Sequence, residues 1–175
     1  MSEYFDIYDI NKKSFGKTGE RESYVFNKGE YHIVTDVFIF NTNNEILLTQ
    51  RAPEKKGGLL WEGTGGSVLA GENSNKAIRR ELLEELGLYV EAEELVLFKE
   101  IRRDEKENPR FKDLWVLRKD IAISELVLQE DEVCNAKWVS FIEFNNMQDK
   151  KEIVPTLDFN NDDFIKAVKL LDNEK

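Results

Sequence analysis

Residues 66–88 read GSVLAGENSNKAIRRELLEELGL, and this stretch decides the fold of the chain. From Ser74 to Leu86 its apolar residues follow the spacing of one helical face, which predicts an amphipathic helix. Asn73 or Ser74 can cap the first turn by accepting a hydrogen bond from an early backbone N–H. Gly87 stands where a helix ends in a left-handed residue, a conformation that glycine adopts without steric cost.

Three glutamates of the predicted helix form an acidic cluster. Glu81, Glu84 and Glu85 stand at positions i, i+3 and i+4 and so share a sector of about 100° on its surface. Carboxylates grouped in this way repel one another unless a cation neutralises them. Oxygen ligands without Cys or His suit Mg²⁺ or Mn²⁺ better than zinc. The alternative interpretation is a solvated acidic helix face.

Two neighbouring features favour a binding site over a solvated helix face. Arg80 is placed to pair with Glu84 along the helix and with Glu72 across the preceding loop, which would hold helix and loop in one geometry. The glycines of WEGTGG, residues 61–66, are predicted to form a loop whose backbone carbonyls can approach a metal or a phosphate. Gly66 is therefore a candidate backbone ligand of the metal.

The fixed positions of this stretch resemble the complete signature of the Nudix hydrolases. They run Gly66, five residues, Glu72, seven residues, Arg80-Glu81-Leu82, one residue, Glu84-Glu85, one residue, Gly87-Leu88. The resemblance implies an α+β Nudix fold, with a mixed β-sheet sandwiched between α-helices. It also implies a pyrophosphatase that uses Mg²⁺ or Mn²⁺ to cleave a diphosphate bond in a nucleoside diphosphate linked to another moiety. The implied site residues are Glu81, Glu84 and Glu85 as metal ligands, with Arg80 beside them.

Outside this signature, residues 3–145 resemble the Nudix branch related to type 1 isopentenyl-diphosphate isomerases. Those isomerases carry a catalytic cysteine in a Cys-Gly-His run, where this chain has Gly65-Gly66-Ser67. Their metal site uses several histidines, and this chain has only His32, which we expect to be a hydrogen-bonded residue at a strand end. A hydrolase is therefore predicted. An isomerase-like enzyme and a non-catalytic nucleotide-binding domain are the alternatives.

Several residues outside the signature are candidates for contacts with the substrate. Arg51 opens a basic loop, and arginine suits phosphate oxygens because its two-pronged donor geometry matches them. Glu132, or Glu130 in the same acidic run, is a candidate for a further metal ligand or general base, as the resemblance implies. A plain surface charge is the alternative for each. Further basic candidates are Lys55, Lys56, Arg102, Arg103, Arg110 and Lys112, and Trp61 and Trp115 are expected in the core.

Composition limits the number of domains and the kinds of partner that this protein can have. With 175 residues and 41% hydrophobic content, a single domain spanning 1–175 is expected. The net charge of −10 disfavours binding to nucleic-acid polymers or anionic membranes. The only cysteine, Cys134, excludes an internal disulfide and fits a cytoplasmic protein, and we predict neither a signal peptide nor a membrane span. A nucleotide-type small molecule is the expected partner, and a homodimer is an open alternative to a monomer.

The pattern of apolar residues and turns predicts the other elements. Residues 1–28 are expected to form a β-hairpin extension, with strands at 4–10 and 21–26. Further strands are predicted at 31–40, 45–51, 95–102, 114–123 and 136–139, with 125–129 as an extension of the fourth. A helical turn is predicted at 140–147, and a C-terminal helix within 161–173 with Asn161 as its cap.

Overall fold

The computed structural model describes residues 2–173; Met1, Glu174 and Lys175 lie outside the described residues. The helices are α1 (Ser74–Leu86), α2 (Phe141–Asp149) and α3 (Asn161–Asn173). The strands are β1 (Tyr4–Tyr8), β2 (Ser14–Glu20), β3 (His32–Phe40), β4 (Ile46–Arg51), β5 (Trp61–Glu62), β6 (Thr64–Ser67), β7 (Val96–Arg103), β8 (Arg110–Arg118) and β9 (Val133–Val139). No helix within residues 2–173 combines the length and the apolar character needed to cross a bilayer.

The larger sheet is mixed, as the sequence predicts. Its strand order is β5-β4-β3-β8-β7, with β6 paired to β3 and β9 paired to β4. Strands β3 and β8 run parallel, and the other pairs in this sheet are antiparallel. Strands β1 and β2 form a separate antiparallel ribbon. The sheet topology therefore agrees with the predicted α+β class.

Side-chain alternation along β3 explains why helices cover both faces of the sheet. Val37 and Ile39 belong to the apolar cluster that includes the buried residues of α1. Phe38 and Phe40 point to the other face and pack in the cluster that includes Phe144 of α2 and residues of α3. The sheet thus lies between helices, and odd and even positions of β3 face different compartments.

The predicted ends of α1 are confirmed. The Asn73 side chain accepts a hydrogen bond from the backbone N–H of Lys76 at 2.8 Å, and Gly87 ends the helix with φ of 64°. The predicted cap of α3 is wrong by one residue. Asn160 caps that helix instead, because its side-chain oxygen accepts from the backbone N–H of Asp163 at 3.0 Å.

The N-terminal hairpin is tighter than predicted. Its second strand is Ser14–Glu20 and not 21–26, since the chain already reverses at residues 9–13. There the Asp9 carboxylate accepts from the backbone N–H groups of Asn11 and Lys13 at 2.8 and 2.9 Å. These two bonds stabilise a short turn, so the residues predicted as a long turn form a strand instead.

Two further predictions of strands are corrected. The strand predicted at 114–123 runs from Arg110 to Arg118, because charged residues at its start are buried in ion pairs that a hydropathy pattern does not reveal. Residues 125–129 add no strand. The segment predicted as a glycine loop contains strand β6, and both Gly65 and Gly66 lie in it.

Candidate active site

Strand β6 presents two glycines to opposite faces of the sheet. In its pairing with β3, Gly65 lies opposite Asp36 and Gly66 lies opposite Thr35. A Cβ atom on Gly66 would overlap the carboxylate of Glu81 in α1. On Gly65 a Cβ atom would overlap Asp36 Oδ1 and the Thr35 carbonyl oxygen. Close approach of neighbours, rather than a positive φ, therefore requires glycine at these two positions.

The first compartment lies between β6 and α1, and we call it the acidic cleft. Gly65 and Gly66 form one wall, and Glu81, Glu84 and Glu85 form the other. Its volume is about 140 Å³. The helix period brings the three glutamates to this wall, as predicted, and the strand brings the backbone of the two glycines to meet them.

Arg80 fastens α1 to the segment before it. One guanidinium nitrogen donates to Glu81 at 2.8 Å and to Glu84 at 3.0 Å. The other donates to the Ser67 carbonyl oxygen at 3.0 Å and to Glu72 at 3.3 Å. The structure thus brings together the arginine and the acidic residues that the sequence predicts to interact, and Arg80 acts as a cross-link between β6 and α1.

The three glutamates differ in environment. The side chain of Glu84 is 52% exposed and pairs with Arg80. Burial raises the pKa of Glu81, although the adjacent Arg80 opposes this effect. Burial, then the carboxylates of Glu81 and Glu62, raise the pKa of Glu85 to about 8. Negative charge is therefore disfavoured most at Glu85, which is where a bound cation would relieve the most repulsion.

The donor set fits a hard divalent cation. In the described residues, no three His, Cys, Asp or Glu side chains already surround one point as a finished metal cage. Mg²⁺ does not need such a cage, since it keeps several waters and binds through one or two carboxylates together with substrate phosphates. Glu81 and Glu85 supply half-buried carboxylates, and the adjoining backbone of Gly66 passes close enough to Glu81 to exclude a Cβ atom.

The second compartment, which we call the side pocket, lies across β6 from α1. Its floor is formed by residues of β3 and β8 that share one face of the sheet, namely His32, Val34, Asp36, Arg110 and Lys112. Its volume is about 550 Å³, and Arg21, Gly65 and Gly66 line both this pocket and the acidic cleft. The two compartments therefore meet at β6.

The predicted substrate residues divide between the compartments. Arg51 lines the side pocket, where it donates to Glu62 at 2.6 Å. Glu132 lines the acidic cleft and forms an ion pair with Lys55. Glu130 lines neither compartment. Arg110 and Lys112 line the side pocket, whereas Lys56, Arg102 and Arg103 line neither compartment.

Three residues of these compartments were missed by sequence reasoning. Asp36 is a single carboxylate within the apolar strand YHIVTDVFIF, and that isolation is a usable signal. Glu62 lies in the same motif as the glycines, but only strand pairing places it near Arg51. No local pattern marks Arg21, which reaches both compartments from the segment after β2. The expectation that Trp61 and Trp115 pack against the core is confirmed.

The comparisons with known proteins agree with this geometry. Residues 30–157 match the family model of the NUDIX domain. The chain is 32% identical over 155 residues to an uncharacterised Nudix hydrolase of Listeria monocytogenes, covering 87% of this chain and 89% of that relative. The chain therefore belongs to the Nudix family, and it is a Nudix hydrolase.

Two further similarities concern the branch of the family and the fold. Over 84 residues it is 43% identical to an isopentenyl-diphosphate Delta-isomerase of Pectobacterium atrosepticum, which covers 47% of this chain and 46% of that enzyme. This agrees with the predicted branch. A crystal structure of a Deinococcus radiodurans protein has the same fold, with a TM-score of 0.71 at 18% identity, covering 87% of this chain and 92% of that one.

Proposed function

We propose that this Nudix hydrolase depends on Mg²⁺ or Mn²⁺ and cleaves a diphosphate bond in a nucleoside diphosphate linked to another moiety. The observation that carries the proposal is the position of Glu85. Its carboxylate is half-buried beside other carboxylates, which raises its pKa to about 8. A cation in the acidic cleft would restore the charged form, and a diphosphate would complete the coordination of that cation.

The residues of the acidic cleft have separate roles in this proposal. Glu81 and Glu85 would hold the ion, with Glu84 and the Gly66 backbone completing its protein ligands. When bound, the ion neutralises charge on the diphosphate oxygens and lowers the pKa of a coordinated water. Arg80 acts as a positioning residue, because its hydrogen bonds hold Glu81 and Glu84.

Glu132 and Arg51 would assist the reaction without holding the ion, Glu132 from the acidic cleft and Arg51 from the side pocket. Glu132 lines the acidic cleft and is 35% exposed, so its carboxylate is accessible to accept a proton from an attacking water. Arg51 is held by Glu62, which orients its guanidinium at the side pocket, next to the glycines of β6. It would stabilise charge on a phosphate oxygen as the bond to phosphorus breaks.

A hydrolysis screen tests the proposal. Nucleoside diphosphate sugars, ADP-ribose, dinucleotides and nucleoside di- and triphosphates would each be incubated with Mg²⁺ or Mn²⁺, and phosphate or nucleoside monophosphate release measured. We expect turnover of at least one compound, its loss in EDTA, and its loss in Glu85→Gln with the fold retained. Turnover that persists in EDTA, or no turnover across the panel, would contradict the proposal.

A separate assay with isopentenyl diphosphate tests the isomerase alternative. The partial similarity to an isopentenyl-diphosphate isomerase motivates the comparison. This chain has Gly65-Gly66-Ser67 where those isomerases carry Cys-Gly-His, so the thiol that their reaction requires is missing there. We expect no dimethylallyl diphosphate from isopentenyl diphosphate, and its formation at enzymatic rates would favour the isomerase.

A further inference from the structure

The turn after β2 brings one cation to the junction of the two compartments. Arg21 lines the acidic cleft and the side pocket, and it also lines a third cavity of about 670 Å³ beside them. It precedes the residues that match the family model, which begin at residue 30. The N-terminal hairpin therefore supplies a charge to a site that is otherwise built by the matched part of the chain.

The hairpin is fixed to the segment before α1 and to the larger sheet. The Asp6 carboxylate accepts from the backbone N–H of Gly71 at 2.9 Å, and Phe5 beside it is buried. At the turn between β1 and β2, the Lys12 ammonium donates to the buried carboxylate of Asp113 at 2.7 Å. Because the ribbon is bound at two separate places, it presents the residues that follow β2 in a defined position.

The turn that carries Arg21 is also held in place. The Arg21 backbone N–H donates to the Glu3 carbonyl oxygen at 2.9 Å, which continues the pairing of β1 with β2. The Tyr24 backbone N–H donates to the Glu20 carbonyl oxygen at 2.9 Å. The Tyr24 ring lies so close to Gly19 that a Cβ atom there would overlap it. The backbone of Arg21 is thus fixed, and its side chain extends from a rigid base.

Arg21 is the most exposed of the six cationic residues that line either compartment in the described chain. Its side chain is 51% exposed and pairs with the Glu3 carboxylate, which is 44% exposed. The other five cations are between 7% and 26% exposed, and each has a carboxylate partner: Arg51, Lys55, Arg80, Arg110 and Lys112. Water screens an exposed pair, so Arg21 can exchange its partner at little cost.

The charges of the acidic cleft call for such a cation once a diphosphate binds. The cleft is lined by five carboxylates and three cations, so one divalent ion balances its charge but leaves that of the diphosphate unmatched. Arg80 is engaged by Glu81 and Glu84, and Lys55 is engaged by Glu132. Arg21 is the third cation, and it lies where a phosphate reaches both compartments.

We propose that Arg21 binds the substrate phosphate that lies nearer the side pocket, and that Glu3 holds its guanidinium until that phosphate replaces the Glu3 carboxylate. This inference rests on the proposed function, because it assumes that the diphosphate lies in the acidic cleft. The guanidinium exchanges one anion with two acceptor oxygens for another, so its hydrogen bonds are kept. Glu3 therefore competes with the substrate, and the hairpin sets the affinity for the diphosphate.

Binding of a diphosphate analogue tests the inference separately from hydrolysis. The affinity for methylenediphosphonate, whose carbon bridge resists hydrolysis, would be measured by calorimetry with the full chain and saturating Mg²⁺. Arg21→Gln should weaken binding by about tenfold or more, and Arg21→Lys by less, because lysine keeps the charge but loses the two-pronged geometry. Unchanged affinity in Arg21→Gln, or no binding by the wild type, would overturn the inference.

Arg102→Gln is the matched control for the loss of one positive charge. Arg102 is 42% exposed and pairs with the exposed Asp104 carboxylate, but it lines neither compartment. Its substitution should leave the affinity for methylenediphosphonate unchanged. A loss as large as that in Arg21→Gln would show that net charge controls binding, and it would overturn the role of Arg21.

Glu3→Gln tests the exchange of partners. Removal of the competing carboxylate should tighten binding by about threefold, and this gain should disappear in the Arg21→Gln background. Glu22→Gln is the control, because Glu22 lines the side pocket and the third cavity but forms no ion pair with Arg21 in the described residues. A gain as large in Glu22→Gln, or one that survives the loss of Arg21, would overturn the role of Glu3.

The inference and the proposed function give different results when they fail. Binding of methylenediphosphonate that depends on Arg21, without turnover of any compound in the hydrolysis screen, would contradict the proposed function alone. Turnover of a compound in that screen with the same KM in Arg21→Gln as in the wild type would contradict this inference alone.

Discussion

The carboxylate of Glu81 occupies the space that a side chain on Gly66 would need. This relationship joins the middle of α1 to strand β6, and Arg80 maintains it by donating to Glu81 and to the Ser67 carbonyl oxygen. The proposed metal ligand on a helix and the backbone of a strand are thereby held at contact distance in the absence of an ion. Such prior placement reduces the ordering that binding would otherwise require.

Adding one methyl group to either glycine of β6 should separate function from stability. In Gly66→Ala the methyl meets the flexible Glu81 side chain, so we expect a folded protein with weakened metal binding and turnover. In Gly65→Ala it meets the Thr35 backbone oxygen, which cannot move aside, so we expect a loss of about 1–3 kcal/mol in unfolding free energy. Denaturant unfolding and metal titration of both variants check this. A larger loss of unfolding free energy in Gly66→Ala than in Gly65→Ala would contradict it.

The metal-free protein should lose stability as the pH rises. The pKa of Glu85 is about 8 in the folded protein against 4.5 for the free side chain, so between these values the folded state holds a proton that the unfolded state has released. The free energy of unfolding therefore falls as the pH rises through this range. Melting temperatures in EDTA should show a smaller decline in Glu85→Gln than in the wild type. Identical pH profiles would show that a group other than Glu85 causes the decline in stability.

Binding of Mg²⁺ or Mn²⁺ should raise the melting temperature. If the ion binds the folded state alone, a concentration of about 100 times Kd stabilises it by ~2.7 kcal/mol. Glu85→Gln should abolish most of this gain. Glu84→Gln should reduce the gain less, because Glu84 is 52% exposed and the ion would be held mainly by Glu81 and Glu85. A gain that survives Glu85→Gln would contradict the assignment of this residue as a ligand.

Breaking the buried ion pair on the pocket floor should be costly. The Lys112 and Asp36 side chains are only 7% and 18% exposed, and they meet at 2.5 Å. Lys112→Met leaves the Asp36 carboxylate without its partner, for which we expect a loss of about 3–5 kcal/mol. Lys112→Met with Asp36→Leu should recover much of that loss. Chemical denaturation measures both, and a single variant as stable as the wild type would refute this view of the pair.

Sequence reasoning was strongest where structure depends on near neighbours. The limits of α1, its Asn73 cap and the ion pairs of Arg80 all depend on spacings of a few residues, and these are readable from the chain. The side pocket depends instead on the register between β3 and β8, which sets His32 beside Arg110. No local pattern encodes that register.

Charged residues also kept the start of one strand from being predicted from the hydropathy pattern. Strand β8 begins at Arg110, four residues before its first strongly apolar run, because its early charged side chains find partners inside the fold. The pairing of Asp36 with Lys112 joins two strands that are distant in the chain. Sequence analysis offers Arg110 and Lys112 only as phosphate contacts or surface charges and does not single out Asp36, since it cannot see the partner that removes the cost of burial.

The two glycines of β6 also carry information about residues that lie elsewhere in the chain. Gly65 lacks a side chain because Asp36 approaches from one direction, and Gly66 lacks one because Glu81 approaches from the other. A designer who kept this backbone but replaced Glu81 with a small residue would release position 66 for alanine, whereas position 65 would stay closed because the Thr35 carbonyl oxygen also blocks it. The GG dipeptide thus records how closely β3 approaches β6 on one face and α1 approaches it on the other.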